Sequence, residues 1–73
     1  MHVFINGERF TFDVNEQVTL VVEQALAKFL SAEQQQTTFA VAVNSEFVGR
    51  DEYATLTLKA GDSIDVLFPI QGG

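Results

Sequence analysis

The sequence predicts an α+β fold: a mixed sheet of four to five strands with one main helix across one face. Three observations carry that prediction. Residues 1–5 and 64–68, at opposite ends of the chain, alternate apolar side chains in the manner of strands with one buried face. Between them, Val22, Leu26, Phe29 and Leu30 recur at the spacing of one helix face. With 73 residues the chain supports one core, so these elements must share it.

Met1, Val3 and Ile5 alternate with His2 and Phe4, and Asn6-Gly7 follows, a hairpin signal because both residues tolerate positive φ. Phe10, Phe12 and Val14 return, alternating with Arg9, Thr11 and Asp13. A hairpin over residues 1–14 thus turns Met1, Val3, Ile5, Phe10, Phe12 and Val14 to the core. Phe4 falls on the other face, as a partly covered surface aromatic or as a contact residue. Val18-Thr19 opens the helix, with Thr19 the expected N-cap. The helix is predicted over about 20–31, with Glu23, Gln24, Ala27 and Lys28 outward.

Residues 31–38, SAEQQQTT, are polar and aperiodic, and are predicted to form a loop. Phe39 to Val43 form the next strand run, Asn44-Ser45-Glu46 turn, and Phe47-Val48 continue briefly. Val41 and Val43 are expected in the core, leaving the small Ala40 and Ala42 on the opposite face. Residues 49–55 are charged and irregular, with room for one helical turn. Leu56 and Leu58 return to the core, residues 59–62 turn, and residues 63–68 form the last strand. Pro69 lacks a backbone donor, so sheet pairing should weaken there. A sheet that sets the first and last strands side by side, with the helix across one face, buries every apolar stripe in two layers. That arrangement is the β-grasp.

Composition narrows the function. The net charge is −6, from ten acidic and four basic residues, which repels a phosphate backbone and favours a protein partner with a basic patch. There is no Cys, hence no disulfide, thiolate site or Cys nucleophile. A secreted domain of this size usually relies on such staples, so the cytoplasm is the expected compartment. Neither a membrane span nor a signal peptide is visible. His2 is the single histidine, too few for a metal site, and no metal is expected. No Gly-rich phosphate loop is present. Asp51, Glu52, Asp62 and Asp65 read as solvated charges, since so short a chain leaves little volume for a cleft around a carboxylate pair. The chain is therefore expected not to be an enzyme.

What remains is the end of the chain, Phe68-Pro69-Ile70-Gln71-Gly72-Gly73. Residues 69–73 are expected to form a flexible tail on a single domain spanning 1–73. Glycine adds nothing to a core and loses much entropy on ordering, but without Cβ atoms it passes through a narrow channel. The Gly73 carboxylate is then the remaining reactive group. It is inert to nucleophiles until activated, as ATP can do by forming an acyl-adenylate that then accepts sulfur or an amine.

An ordered set of short motifs resembles the ThiS family, ubiquitin-like β-grasp sulfur carriers of thiamine biosynthesis. The resemblance rests on Ile5-Asn6-Gly7-Glu8, Val18-Thr19-Leu20, Ala40-Val41-Ala42-Val43-Asn44, Val48-Gly49-Arg50, Leu58, Gly61-Asp62-Ser63-Ile64 and Gln71-Gly72-Gly73. The chain departs from the family's usual pattern in having Gly49 for Pro, Tyr53 where Trp is frequent, and a longer segment over residues 31–38. A sulfur carrier for molybdopterin or another pathway is the nearest alternative, and a ubiquitin-like modifier or interaction module is the alternative of another class.

The resemblance implies a cycle. A ThiF-like adenylating enzyme, using its own ATP and Mg²⁺, converts the Gly73 carboxylate to an acyl-adenylate. Sulfur from a cysteine desulfurase replaces AMP, and a ThiG-like thiazole synthase receives the sulfur from the thiocarboxylate. The carrier itself binds no cofactor. Gly72, Gln71 and Ile70 give access to the terminus, and Phe4, Ala40, Ala42, Leu67 and Arg50 are the expected partner-binding residues.

Overall fold

A computed structural model describes residues 1–14 and 19–69. β1 (His2–Ile5) and β2 (Glu8–Thr11) pair antiparallel with Val3 opposite Phe10. The turn between them sets Asn6 at φ 51° and Gly7 at φ 80°, the left-handed pair that a two-residue hairpin requires. Beyond the strands, Phe12 N–H donates to the Met1 carbonyl at 2.8 Å, and the Met1 ammonium donates to the Phe12 carbonyl at 2.9 Å. Lys28 lies 4.8 Å above the Phe12 ring and donates to the Thr11 carbonyl at 2.7 Å, tying the helix to the hairpin.

The main helix, α1 (Val22–Phe29), starts later than Thr19 would set it. Before it the chain is extended: Leu58 N–H donates to the Leu20 carbonyl at 2.7 Å, and Val21 bridges to Thr57. This pairing with residues distant in sequence overrides the local N-cap preference. The residue before the first turn is Val21, whose N–H donates to the Gln24 side chain at 3.0 Å. Val22, Ala25, Leu26 and Leu30 are buried and Phe29 is partly so, meeting Phe10 edge-on at 5.8 Å.

Residues 31–38 are not a plain loop. They contain a one-turn helix, α2 (Ala32–Gln35). Ser31 caps it: Gln34 N–H donates to Ser31 Oγ at 3.1 Å, and Ser31 N–H donates to Gln34 Oε1 at 2.9 Å. That reciprocal pair is the capping box encoded by Ser31-Ala32-Glu33-Gln34.

β3 (Ala40–Val43) and β4 (Glu46–Val48) pair antiparallel around Asn44 and Ser45, both at positive φ. A 3₁₀ turn over Arg50–Glu52 follows. Leu58 is buried and Leu56 half-buried against the core. β5 (Ser63–Leu67) completes one five-stranded sheet of order β2-β1-β5-β3-β4. It runs parallel to β1, with Ile5 beside Ile64, and antiparallel to β3, with Val41 beside Val66. Val3, Ile5, Val22, Ala25, Val41 and Ile64 are fully enclosed between sheet and helix. The first and last strands thus lie side by side at the centre of a β-grasp sheet. No helix among the described residues is long and apolar enough to cross a membrane.

Candidate functional site

Because α1 covers one side of the sheet, strand parity decides what the other side presents. Register sets Phe4 beside Ser63, Ala40 beside Leu67, and Ala42 between Phe47 and Asp65. Phe4, Ala40, Ala42 and Leu67 therefore share the face away from the helix. Phe47 is 74% exposed, Leu67 51% and Phe4 38%. Phe47 was not among the expected contact residues. Its position two residues beyond the Asn44-Ser45 turn puts it opposite Ala42, which is the signal that identifies it.

Two of the expected contact residues are placed differently from the others. Ala42 is not an exposed patch: it is only 5% exposed. It stands outside the helix-side core, between its larger cross-strand neighbours Phe47 and Asp65, and forms the floor beneath them. Arg50 does not join this face. It lines a separate cleft with Gln35, Thr37, Phe39 and Tyr53, since the chain turns off the sheet edge after β4.

The face is mixed in character. Asp65 separates Ser63 from Leu67 along β5, and Arg9 stands opposite Phe4 on β2. The apolar portion lies over β3, β4 and the end of β5. It continues into a groove of about 310 Å³ lined by Thr38, Phe39, Ala40, Leu67, Phe68 and Pro69.

That groove lies where the described residues end, at Pro69. β5 ends at Leu67, before Pro69, so sheet pairing stops where the missing donor predicts. Phe68 is at core parity but past the strand end, 38% exposed. Its ring meets Phe39 edge-on at 6.1 Å, and Phe39 stacks on Tyr53 at 6.3 Å. Partial burial raises the Tyr53 pKa above its ordinary value, with nearby Arg50 pulling weakly the other way. Ile70, Gln71, Gly72 and Gly73, expected to carry and expose the reactive terminus, lie outside the described residues.

Comparison with known proteins gives this geometry a context. A family model described as the ThiS family matches residues 3–73. The crystal structure of the thiamine biosynthesis protein ThiS from Geobacter metallireducens is similar over 100% of both chains, at 29% identity and a TM-score of 0.74. The solution structure of a thiamine biosynthesis protein from the same organism is similar over 100% of this chain and 88% of that one, at 29% identity and a TM-score of 0.68. No curated protein sequence matches the chain.

Proposed function

The chain belongs to the ThiS family, and on that premise we propose that it is a non-catalytic sulfur carrier for thiazole formation in thiamine biosynthesis. The observation that carries the proposal is the match over residues 3–73, which spans the sheet, the helix and the terminal Gly72-Gly73 together.

In this reading the Gly73 carboxylate attacks the α-phosphorus of ATP on a ThiF-like adenylating enzyme that also holds Mg²⁺. Pyrophosphate leaves and an acyl-adenylate remains. The terminal sulfur of a persulfide formed by a cysteine desulfurase adds to the activated carbonyl, and AMP departs with the oxygen that sulfur replaces. A thiol then attacks the other sulfur of the acyl persulfide, is oxidised to a disulfide with it, and releases the thiocarboxylate. A ThiG-like thiazole synthase then takes the sulfur from the thiocarboxylate. The chain's own task is to hold its terminus out and to be recognised. Gly72 lets enzyme groups approach, while Ile70 and Gln71 guide the tail. Phe4, Ala40 and Leu67 present the docking face; Phe47, the most exposed of its large side chains, joins them. A few well-packed anchors near the centre of an interface usually carry most of its energy. The acidic chain, of net charge −6, favours encounter with a basic enzyme surface.

Pyrophosphate release by a ThiF-like enzyme tests both parts. Addition of the chain should start release, and deletion of Gly73 should abolish it. Leu67→Asp should lower kcat/KM by about 10-fold or more, as for an interface anchor, with the fold intact. Unchanged release after deletion of Gly73 would remove the carrier reading, and an unchanged kcat/KM for Leu67→Asp would remove this docking face.

A further inference from the structure

β5 carries the tail, yet its neighbour β1 stops short of it. Ile5 pairs with Ile64, and the chain then turns away at Asn6-Gly7. In a continuing parallel ladder, residue 6 would donate its N–H to the Ile64 carbonyl and accept from Val66 N–H through its own carbonyl. The first bond is made by the backbone, at 2.9 Å. The second is made by the side chain: Val66 N–H donates to Asn6 Oδ1 at 2.7 Å. The same amide donates from Nδ2 to the Val66 carbonyl at 3.2 Å. The Asn6 side chain thus acts as a further peptide unit of β1. It keeps β5 bonded on that side up to Val66, seven residues before Gly73.

The start of β5 has a matching device on the β3 side. Asn44 N–H donates to the Ser63 carbonyl at 2.7 Å, and Ser63 N–H donates to Asn44 Oδ1 at 3.0 Å. Asn44 Nδ2 also donates to Asp62 Oδ1 at 3.1 Å. Both asparagines sit at positive φ, 51° and 50°. Either can therefore become glycine without backbone strain, losing only the side-chain amide. The two are chemically alike and differ in which end of β5 they hold.

We infer that Asn6 is a positioning residue for the chemistry at Gly73: by bonding both backbone groups of Val66, its amide keeps the end of β5 from fraying and so sets where the free segment that bears Gly73 begins. This rests on the carrier reading. A chain whose β5 frays still docks through the sheet face, but its longer free segment brings Gly73 to the enzyme's reacting centre less often, so the loss falls on kcat. Asn44, at the other end, serves stability alone.

The test compares Asn6→Gly, Asn44→Gly and Asn6→Asp in the full chain, at a temperature where each is folded by circular dichroism. The readouts are pyrophosphate release by a ThiF-like enzyme and amide hydrogen exchange. Asn6→Gly should speed Val66 exchange about 10-fold or more. Its kcat should fall about 5-fold or more while KM stays within about twofold. Asn44→Gly should keep kcat within about twofold of the parent. Asn6→Asp retains the acceptor for Val66 N–H but sets a carboxylate oxygen against the Val66 carbonyl, so it should recover only part of the lost kcat. Equal kcat in the two glycine variants, or a loss confined to KM, would overturn the assignment. A parent chain that supports no pyrophosphate release would instead defeat the carrier reading, an outcome separable from the comparison among variants.

Discussion

Ile64 on β5 and Phe47 on β4, with β3 between them, show how differently two apolar side chains of one sheet can be used. Ile64 is fully enclosed between β1, β3 and α1, whereas Phe47 is 74% exposed. Ile64→Ala should therefore cost about 2–5 kcal/mol, because the site cannot collapse around the lost atoms. Phe47→Ser should change stability by no more than about 0.5 kcal/mol. Urea unfolding of both variants checks the contrast, and a large loss in Phe47→Ser would assign that ring to the fold rather than to a contact surface. At this scale the sequence was most informative where parity suffices. Phe4 and Leu67 were assigned to the outer face by alternation, and they lie on it. Parity states a direction and not a depth, so the cover over Ala42 by Phe47 and Asp65 could not be read from it. Nor could the back-bonding of Asn6: the dipeptide Asn-Gly announces a turn but not which backbone the amide reaches.

The elements followed the apolar pattern wherever one existed. The hairpin, the helix stripe and the strands at 40–43 and 63–67 were each marked by periodicity, and they formed. α2 carries no apolar stripe and is one turn long, so periodicity passes over it while its capping box remains visible in the sequence. The start of α1 was set by pairing with residues 56–58, a non-local contact that no local signal encodes. The segment after the 3₁₀ turn offers a direct titration. Burial disfavours the Tyr53 phenolate and raises its folded-state pKa, Arg50 opposing this in part. Stabilisation from the neutral phenol is then fully present below the unfolded pKa of about 10 and is lost as pH rises through the higher folded value. Tyr53 is the only tyrosine and there is no tryptophan, so phenolate absorbance reports it alone. Its midpoint should lie above that of the unfolded chain, and Tyr53→Phe should remove this part of the alkaline loss of stability. A midpoint at or below the unfolded value would contradict the packing of Tyr53 against Phe39.

For the whole molecule, the strand order β2-β1-β5-β3-β4 has one main consequence. β5, the described strand nearest Gly72-Gly73 in sequence, is the central one and is bonded on both sides. The two alternating apolar runs at opposite ends of the sequence, which must share one core, predict β1 beside β5 but not the pairing of β3 on the other side of β5. The family match over residues 3–73 and the acidic surface agree with a chain handled by other proteins. Intact-mass spectrometry with fragmentation, after incubation with a ThiF-like enzyme, Mg²⁺-ATP, cysteine, a cysteine desulfurase and a thiol reductant, tests the carrier claim most directly. A sulfur carrier gains a mass equal to the difference between sulfur and oxygen, localised to Gly73. An unmodified terminus alongside a control carrier that is converted, or Gly73 joined instead to lysines of other proteins, would contradict the claim.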